Sequence, residues 1–238
     1  MAFSHMDASA VVLPDGDALV VGGLHWTGSG FEQQHVERFD VASGTWSAGA
    51  ITGTPRMYSA IAKLSDGRVL SAGGYGIYDE YTSADLYDPR TDTWTPVAPM
   101  HVVRTMALAA GLPDGRVLVA GGHSRATKPQ AIDPAAGTYE IYDPRTDTWT
   151  EPAPLSRRRA GYAQLVTLSD GRIVLTGGYN GPSYEEPYGA DVGTADVYDP
   201  ETGTWTETGR AARAAPSTSR SRCRTTRCSS RTGSRKNA

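Results

Sequence analysis

The histidines of this 238-residue chain do not form a metal-binding pattern. No two of them lie two or four residues apart, and no cysteine lies near any of them. Metal sites in proteins usually draw on closely spaced His and Cys ligands. The sequence therefore predicts neither a metal site nor a cofactor, with a site assembled from distant segments as the alternative. The histidines are His5, His25, His35, His101 and His123.

Residues for nucleophilic or acid–base catalysis are missing or poorly placed. The only cysteines, Cys223 and Cys228, lie near the C-terminal end. No Gly-x-Ser-x-Gly element occurs, and no glycine-rich phosphate loop precedes a helix. Glu185 and Glu186 are adjacent acids, but neighbouring side chains on a loop point apart. The sequence predicts no catalytic residue.

A fourfold repeat organises residues 15 to 205. Each unit contains Asp-Gly, an apolar run ending in Gly-Gly, an aromatic residue followed by Asp, and a Trp. A period near fifty residues is typical of propellers and related repeat folds. The anchors are Asp15, Gly22, Gly23, Phe39, Asp40 and Trp46; Asp66, Gly73, Gly74, Tyr87, Asp88 and Trp94; Asp114, Gly121, Gly122, Tyr142, Asp143 and Trp149; and Asp170, Gly177, Gly178, Tyr198, Asp199 and Trp205.

The spacing within each unit separates rigid segments from one variable loop. Asp-Gly precedes Gly-Gly by seven residues in every unit, and the aromatic residue precedes the Trp by seven. The interval from Gly-Gly to the aromatic residue varies between fourteen and twenty-one. Asp-Gly between apolar runs predicts a two-residue hairpin turn with both residues at positive φ. Each unit thus reads as four antiparallel strands, a to d, with a variable b-to-c loop.

This pattern resembles the kelch repeat, and more distantly the kelch repeats of the galactose oxidase central domain. The resemblance implies an all-β fold, a kelch-type β-propeller of four four-stranded antiparallel blades. Its Trp and Tyr anchors are expected mostly between blades, since stacking blades buries their apolar faces. The blades are expected at about residues 5–49, 56–97, 104–151 and 159–207, within a propeller spanning residues 5–208.

Four blades predict a partial, open ring, because kelch propellers usually have six or seven. The chain starts inside the pattern, and residues 209–238 break it. From residue 210 onward there are eight Arg, one Lys and no acidic residue, which predicts a disordered tail. One interpretation is a basic arm for nucleic acid. The other, favoured because the change falls at a blade boundary, is a frameshifted or truncated kelch protein.

Charge and hydropathy limit the partners of the blades. Residues 1–209 carry fourteen basic and twenty-six acidic residues, a net charge near −12. An acidic body argues against nucleic acid as partner of the folded part. No apolar stretch approaches the length of a membrane span. No secretory signal is visible, and the compartment stays unknown.

The b-to-c loops, about residues 24–34, 75–82, 123–137 and 179–193, form the candidate binding face. Aromatic residues on variable loops over a rigid scaffold indicate binding, with local packing as the alternative. Three arginines at the starts of a strands are expected near the same channel mouth. Their alternative role is bonding to neighbouring-blade carbonyls or to acids such as the Asp of Tyr-Asp-Pro. The candidate residues are Trp26, Tyr75, Tyr78, Tyr81, Tyr184, Tyr188, Arg56, Arg104 and Arg159.

The sequence favours a non-catalytic interaction module that binds a protein segment or a carbohydrate. The alternative is a fragment of a propeller enzyme, such as a galactose-oxidase-like carbohydrate oxidase. The copper-radical cofactor of those enzymes needs a Tyr joined to a Cys, and residues 1–209 contain no Cys. A third hypothesis is self-association through the open edges of the first and last blades.

Overall fold

The chain folds into four antiparallel sheets that stand side by side as propeller blades. The computed structural model describes residues 7–26, 31–33, 36–50, 54, 56–76, 79–124, 133–180 and 192–210. Each blade is a sheet of four strands joined in the order a, b, c, d, and blade 3 carries one extra short strand. This confirms the predicted all-β propeller class.

Blades 1 and 2 are built from the first ten strands. In blade 1 a separate two-stranded hairpin, β3 with β4, fills part of the b-to-c loop. The strands of blade 1 and its hairpin are β1 Ser9–Val12, β2 Ala18–Val21, β3 Leu24–Trp26, β4 Phe31–Gln33, β5 Val36–Asp40 and β6 Thr45–Ala48. Those of blade 2 are β7 Ala60–Lys63, β8 Val69–Ala72, β9 Ala84–Asp88 and β10 Thr93–Val97.

Blades 3 and 4 follow the same order, and the last strand ends at Arg210. A 3₁₀ turn at Ala135–Gly137 precedes the c strand of blade 3. The predicted tail from residue 211 onward lies outside the described residues. The strands of blade 3 are β11 Leu108–Gly111, β12 Val117–Ala120, β13 Thr138–Asp143, β14 Thr148–Trp149 and β15 Ala153–Pro154. Those of blade 4 are β16 Ala160–Thr167, β17 Ile173–Tyr179, β18 Thr194–Asp199 and β19 Thr204–Arg210.

The Asp-Gly turns have three residues rather than the predicted two. In blade 1, Gly16 N donates to Leu13 O and Leu13 N donates to Asp17 O, which encloses residues 14–16. Only the glycine has positive φ, +94°, and Asp15 accepts the amide of Asp17. The prediction of a two-residue turn was therefore wrong. The Asp side chain caps a turn in which Asp itself has negative φ, and the glycine that follows is the residue with positive φ.

Three apolar seams join the four blades. In each seam, side chains of one blade that point toward the following blade pack against side chains of the following blade that point back. Seam 1–2 contains Leu13, Leu19 and Val21 with Val69 and Tyr87. Seam 2–3 contains Ala62, Leu70 and Leu86 with Val117, Tyr142 and Trp149. Seam 3–4 contains Leu112, Leu118 and Ile141 with Ile173, Leu175 and Tyr198. A fully buried Leu or Ile in such a seam contributes about 1.5–3 kcal/mol.

Seam 1–2 is also fastened at its outer edge by a set of bonds that we call the edge clamp. Asp92 Oδ1, in the c-to-d turn, accepts from the Tyr87 hydroxyl at 2.8 Å and from the Ala50 amide at 3.1 Å. Trp94 Nε1 donates to Ala50 O at 3.0 Å. The Asp92 carboxylate and the Trp94 indole thereby bond both the backbone N–H and the backbone C=O of Ala50 in the preceding blade.

Seam 2–3 repeats the edge clamp atom for atom. Asp147 Oδ1 accepts from the Tyr142 hydroxyl at 3.0 Å and from the Ala98 amide at 2.9 Å. Trp149 Nε1 donates to Ala98 O at 2.7 Å. Both clamp aspartates have positive φ, +51° for Asp92 and +52° for Asp147. Asp is one of the few residues besides Gly that tolerate this backbone conformation.

The ring is open between blade 4 and blade 1. All four residues of β8 and of β12 are buried, because blades 2 and 3 have neighbours on both faces. In β2 the second and fourth residues are buried, whereas in β17 the first and third are buried. These two strands therefore bury opposite faces of their blades. Val12 is 58% exposed on the outer face of blade 1 and Val166 is 51% exposed on that of blade 4. These patterns confirm the predicted open ring among the described residues.

Candidate functional site

The three arginines at the starts of a strands are buried and bonded to the scaffold. Arg56, Arg104 and Arg159 are each no more than 1% exposed. Arg56 pairs with Asp85 at 2.5 Å and donates to the carbonyls of Gly73 and Ser83. Burial lowers the pKa of Arg56 and of Arg104. A guanidinium in such a place forms a buried ion pair and a bridge between strands b and c, rather than a free ligand-binding group.

Each arginine finds its acid within its own blade, two residues before the aromatic anchor. Arg104 pairs with Glu140 at 3.2 Å and Arg159 pairs with Asp196 at 2.5 Å. The acid considered from the sequence, the Asp of Tyr-Asp-Pro, is therefore not the partner. The true signal was present in the sequence, since an acid stands two residues before the aromatic anchor in all four units. These acids are Glu37, Asp85, Glu140 and Asp196.

The arginine backbones also join successive blades. In blades 1 to 3 the second glycine of the Gly-Gly pair donates its amide to the arginine carbonyl of the following blade; Gly74 N, for example, donates to Arg104 O at 2.8 Å. A Cβ on Gly73 would lie 2.4 Å from that same carbonyl. Gly-Gly is thus required by the close approach of the next blade as well as by positive φ. We assign the three arginines to the scaffold and leave them out of the proposed binding surface.

A ring of strained residues marks the channel mouth. The residue eight positions before each Asp-Gly aspartate has positive φ in all four blades: Asp7, Tyr58, Met106 and Tyr162, at +64°, +51°, +54° and +50°. Tyr58 N donates to Asp7 O at 3.2 Å, and Met106 N donates to Tyr58 O at 3.0 Å. A non-glycine residue in this region costs of order 1 kcal/mol or more, and such strain clusters at functional sites.

Each of the last three ring residues packs against the residue that follows Gly-Gly in its blade. The rings of Tyr58 and Tyr75 stack at 5.8 Å between centroids with planes 15° apart. The rings of Tyr162 and Tyr179 lie 6.1 Å apart. Met106 Sδ lies 3.3 Å from Nε2 of His123. Every pair joins strand a to the start of a b-to-c loop, so the mouth is lined by aromatic and sulfur-containing pairs.

Tyr162 is the most exposed large side chain of this mouth. It is 77% exposed and follows Gly161, which has φ +57°. Strand β16 bulges here, because Gly161 and Tyr162 together oppose one residue of β17. The extra residue explains why Arg159 stands one position out of register in the sequence, and the bulge returns its guanidinium to the buried position. Bulges commonly re-aim side chains beside functional sites.

The aromatic residues predicted on the b-to-c loops are only partly within the described chain. Tyr75 lies in the stack with Tyr58, and the Tyr81 ring lies 5.7 Å from Arg56 Cζ. Trp26 belongs to β3, where the backbone alone is described. Tyr78, Tyr184 and Tyr188 lie outside the described residues. Both fully described tyrosines are packed against scaffold residues at the mouth, and their role in binding stays a prediction.

Acidic groups border the mouth between blades 2 and 3. Ser124 Oγ donates to Glu80 at 3.0 Å, and Ser124 N donates to the buried Asp133 at 2.7 Å. Burial raises the pKa of Asp133. Asp7 accepts from the Tyr58 hydroxyl, whose pKa is raised by burial and by this bond. The described residues contain no group of three His, Cys, Asp or Glu side chains placed to hold a metal ion.

The repeat geometry agrees with a comparison against protein families. The family model for the Kelch motif matches residues 65–101 and 162–209, in blades 2 and 4. The chain is a β-propeller with Kelch motifs in two of its four blades. No curated protein matches it. The described part of this kelch propeller contains no helix long and apolar enough to cross a membrane. Kelch propellers commonly bind proteins, and the fold is consistent with an interaction module.

Proposed function

We propose that this kelch propeller is a non-catalytic module that captures a protein segment at the channel mouth formed by its b-to-c loops. The observation that carries the proposal is Tyr162, held exposed by a bulge and by positive φ. A packing role does not account for a ring that is more than three-quarters exposed. Exposed aromatic rings on a rigid frame bind with little loss of conformational freedom.

The charges around the mouth favour a segment that contains Lys or Arg. Arg56, Arg104 and Arg159 are each buried against an acid of their own blade, whereas Asp79 is exposed and Glu80 is half-buried. The Tyr162 ring can receive a cation over its face, an interaction of about 0.5–1 kcal/mol at an exposed site. The excess of acidic residues in the body adds long-range attraction for a basic partner.

Panning a phage-displayed random peptide library against the full chain tests this proposal. We expect enrichment of Lys- or Arg-containing peptides whose binding is lost in Tyr162→Asn. Asn tolerates positive φ, so the variant removes the ring and keeps the backbone. Val41→Asn is the matched control, since Val41 is 59% exposed in the c-to-d turn of blade 1. Enriched peptides that bind Tyr162→Asn as well as the parent would contradict the proposal.

A second proposal concerns the open ends of the ring, which favour self-association. The outer face of blade 4 carries the half-buried Val174 and exposed Val166 in the positions that pack against the next blade in seams 1–2 and 2–3. The outer face of blade 1 presents Val12 and Val20 in the complementary positions. Sedimentation of the full chain should show a concentration-dependent oligomer that Val166→Asp dissociates. A monomer at every concentration would exclude this mode of assembly.

A further inference from the structure

The seam between blades 3 and 4 contains an open pocket at the protein surface, the seam cavity. The cavity has a volume of about 420 Å³. It lies at the outer edge of the seam, between the end of the d strand of blade 3 and the c-to-d turn of blade 4. This is the place that the edge clamp occupies in seams 1–2 and 2–3.

The first cause of the cavity is Gly203, which stands where blades 2 and 3 have the clamp aspartate. Gly203 has φ +69°, close to the values of Asp92 and Asp147. A Cβ built on it would meet no atom within 4 Å. The carboxylate is therefore missing while the backbone that would carry it is retained. Tyr198, the counterpart of Tyr87 and Tyr142, is left without the acceptor for its hydroxyl.

The second cause is a bulge in the outer strand of blade 3. Tyr142 pairs with Trp149, but Tyr139 pairs with Ala153, so one extra residue is inserted in the d strand. Thr150 Oγ1 accepts the Ile141 amide at 3.0 Å within this bulge. Ala153 is displaced by one position relative to Ala98 of the clamped seam. As a result the buried Nε1 of Trp205 has no acceptor among the described residues.

The lining offers aromatic walls together with both donors and acceptors. Tyr198 is 1% exposed and lines the cavity beside Tyr139, with their ring centroids 5.9 Å apart. Glu151 and Glu201 are exposed carboxylates at its rim. Arg116 also lines it, but its charge is already paired with Asp114 at 2.7 Å. Glu151 lies 3.8 Å from the His101 ring, and both rim carboxylates stay exposed. Two exposed carboxylates beside one neutralised arginine disfavour an anion, so the lining suits a neutral ligand rich in hydroxyl groups.

We propose that this seam cavity binds a neutral saccharide of one or two sugar rings. A sugar hydroxyl would accept from the Tyr198 hydroxyl at the place of the missing carboxylate, and other hydroxyls would donate to Glu151 or Glu201. The C–H faces of the sugar would lie against Tyr139. A volume of about 420 Å³ falls within the usual range of small-molecule sites. This site is separate from the channel mouth and does not depend on the function proposed there.

The test is an NMR titration of the ¹⁵N-labelled full chain with a panel of neutral mono- and disaccharides. We expect at least one saccharide to shift the amides of Thr202 and Gly203 and the indole Nε1 of Trp205. Gly203→Asp should restore the clamp carboxylate, fill the cavity and weaken binding about tenfold or more, equivalent to about 1.4 kcal/mol. Gly44→Asp is the matched control, because Gly44 holds the same turn position in blade 1 with φ +70° and no atom near its Cβ position.

A second variant guards against misfolding of the first. Tyr198→Phe keeps the buried ring and removes only the hydroxyl, and it should weaken binding several-fold. The proposal is overturned if no saccharide of the panel shifts these signals, if Gly203→Asp and Gly44→Asp bind alike, or if acetate and succinate bind in place of the sugars. Tyr162→Asn should leave saccharide binding unchanged, so failure at the channel mouth and failure at the seam give different results.

Discussion

Seam 2–3 and seam 3–4 have the same apolar interior but different outer edges. Both bury leucines of one blade against β-branched residues and a tyrosine of the next. Seam 2–3 then closes with Asp147 and Trp149 bonded to Ala98. Seam 3–4 instead has Gly203, and the Nε1 of Trp205 has no acceptor within the described part of the chain. The difference shows that the apolar cluster is sufficient to hold two blades together. The polar edge adds stability where present and leaves space where absent.

Substitution of Trp149 and of Trp205 by phenylalanine should give the largest difference in stability between the two seams. Trp149→Phe removes the bond to Ala98 O and leaves unfilled volume, which should cost about 2–4 kcal/mol. Trp205→Phe loses volume but no hydrogen bond, and should cost about 1–2 kcal/mol less. Urea unfolding of both variants measures the difference. Equal losses would mean that the indole bond of the edge clamp adds nothing.

Removing the clamp carboxylate should convert seam 2–3 toward the state of seam 3–4. Asp147→Gly leaves the Tyr142 hydroxyl and the Ala98 amide without their acceptor, at a cost of about 1–3 kcal/mol. Glycine suits φ +52°, so backbone strain does not contribute to the loss. Urea unfolding provides the measurement, with Gly44→Asp as a control for the turn position. No change in stability would contradict a role for this carboxylate.

Adding the carboxylate to seam 3–4 should have the opposite and smaller effect. Gly203→Asp gives the Tyr198 hydroxyl an acceptor and should stabilise the chain by about 0.5–1.5 kcal/mol. The displaced Ala153 limits the gain, because its amide is not where Ala98 is in the clamped seam. A shift of the urea midpoint to higher concentration would support this expectation. Destabilisation would show that the turns of blades 3 and 4 differ in more than one residue.

The smallest expected effect concerns the turn that carries the clamp. In blade 3 the side chain of Arg145 bonds Asp143 and lowers the pKa of Asp143 to about 2. Blade 4 has Glu201 in place of this arginine. Because the folded pKa is below the usual 3.8, the contribution of Asp143 to stability is present above about pH 4 and is lost toward pH 2. In Arg145→Glu the pKa of Asp143 should rise to its usual range or above in a carboxyl NMR titration, while that of Asp88 stays unchanged.

The scaffold could be predicted from sequence because its signals recur at constant spacing. Asp-Gly keeps its interval to Gly-Gly, and the aromatic residue keeps its interval to the Trp. Such residues have few structural interpretations. The Asp-Gly turn was predicted in the right place with the wrong length, since a two-residue turn and a three-residue turn share these residues. The buried acid two residues before the aromatic anchor could have been found by the same counting.

The candidate sites depend on features that local sequence does not encode. Nothing about Tyr58 or Tyr162 as residue types indicates positive φ, which tertiary contacts impose at the start of each a strand. The seam cavity arises from the coincidence of Gly203 in one blade with an inserted residue in the preceding one. Only the position of Arg159, one residue out of register, pointed to an irregularity near Tyr162.

The uneven burial of the b strands has a consequence for how the protein opens. Strands β8 and β12 are buried on both faces, whereas β2 and β17 are buried on one. In a repeat array, stability is close to a sum over units and their interfaces, so the end units open first. Amide hydrogens of blades 2 and 3 should then exchange with solvent most slowly, and those of blades 1 and 4 earlier. The middle seam, fully clamped and flanked by two complete sheets, would be the last part of the molecule to come apart.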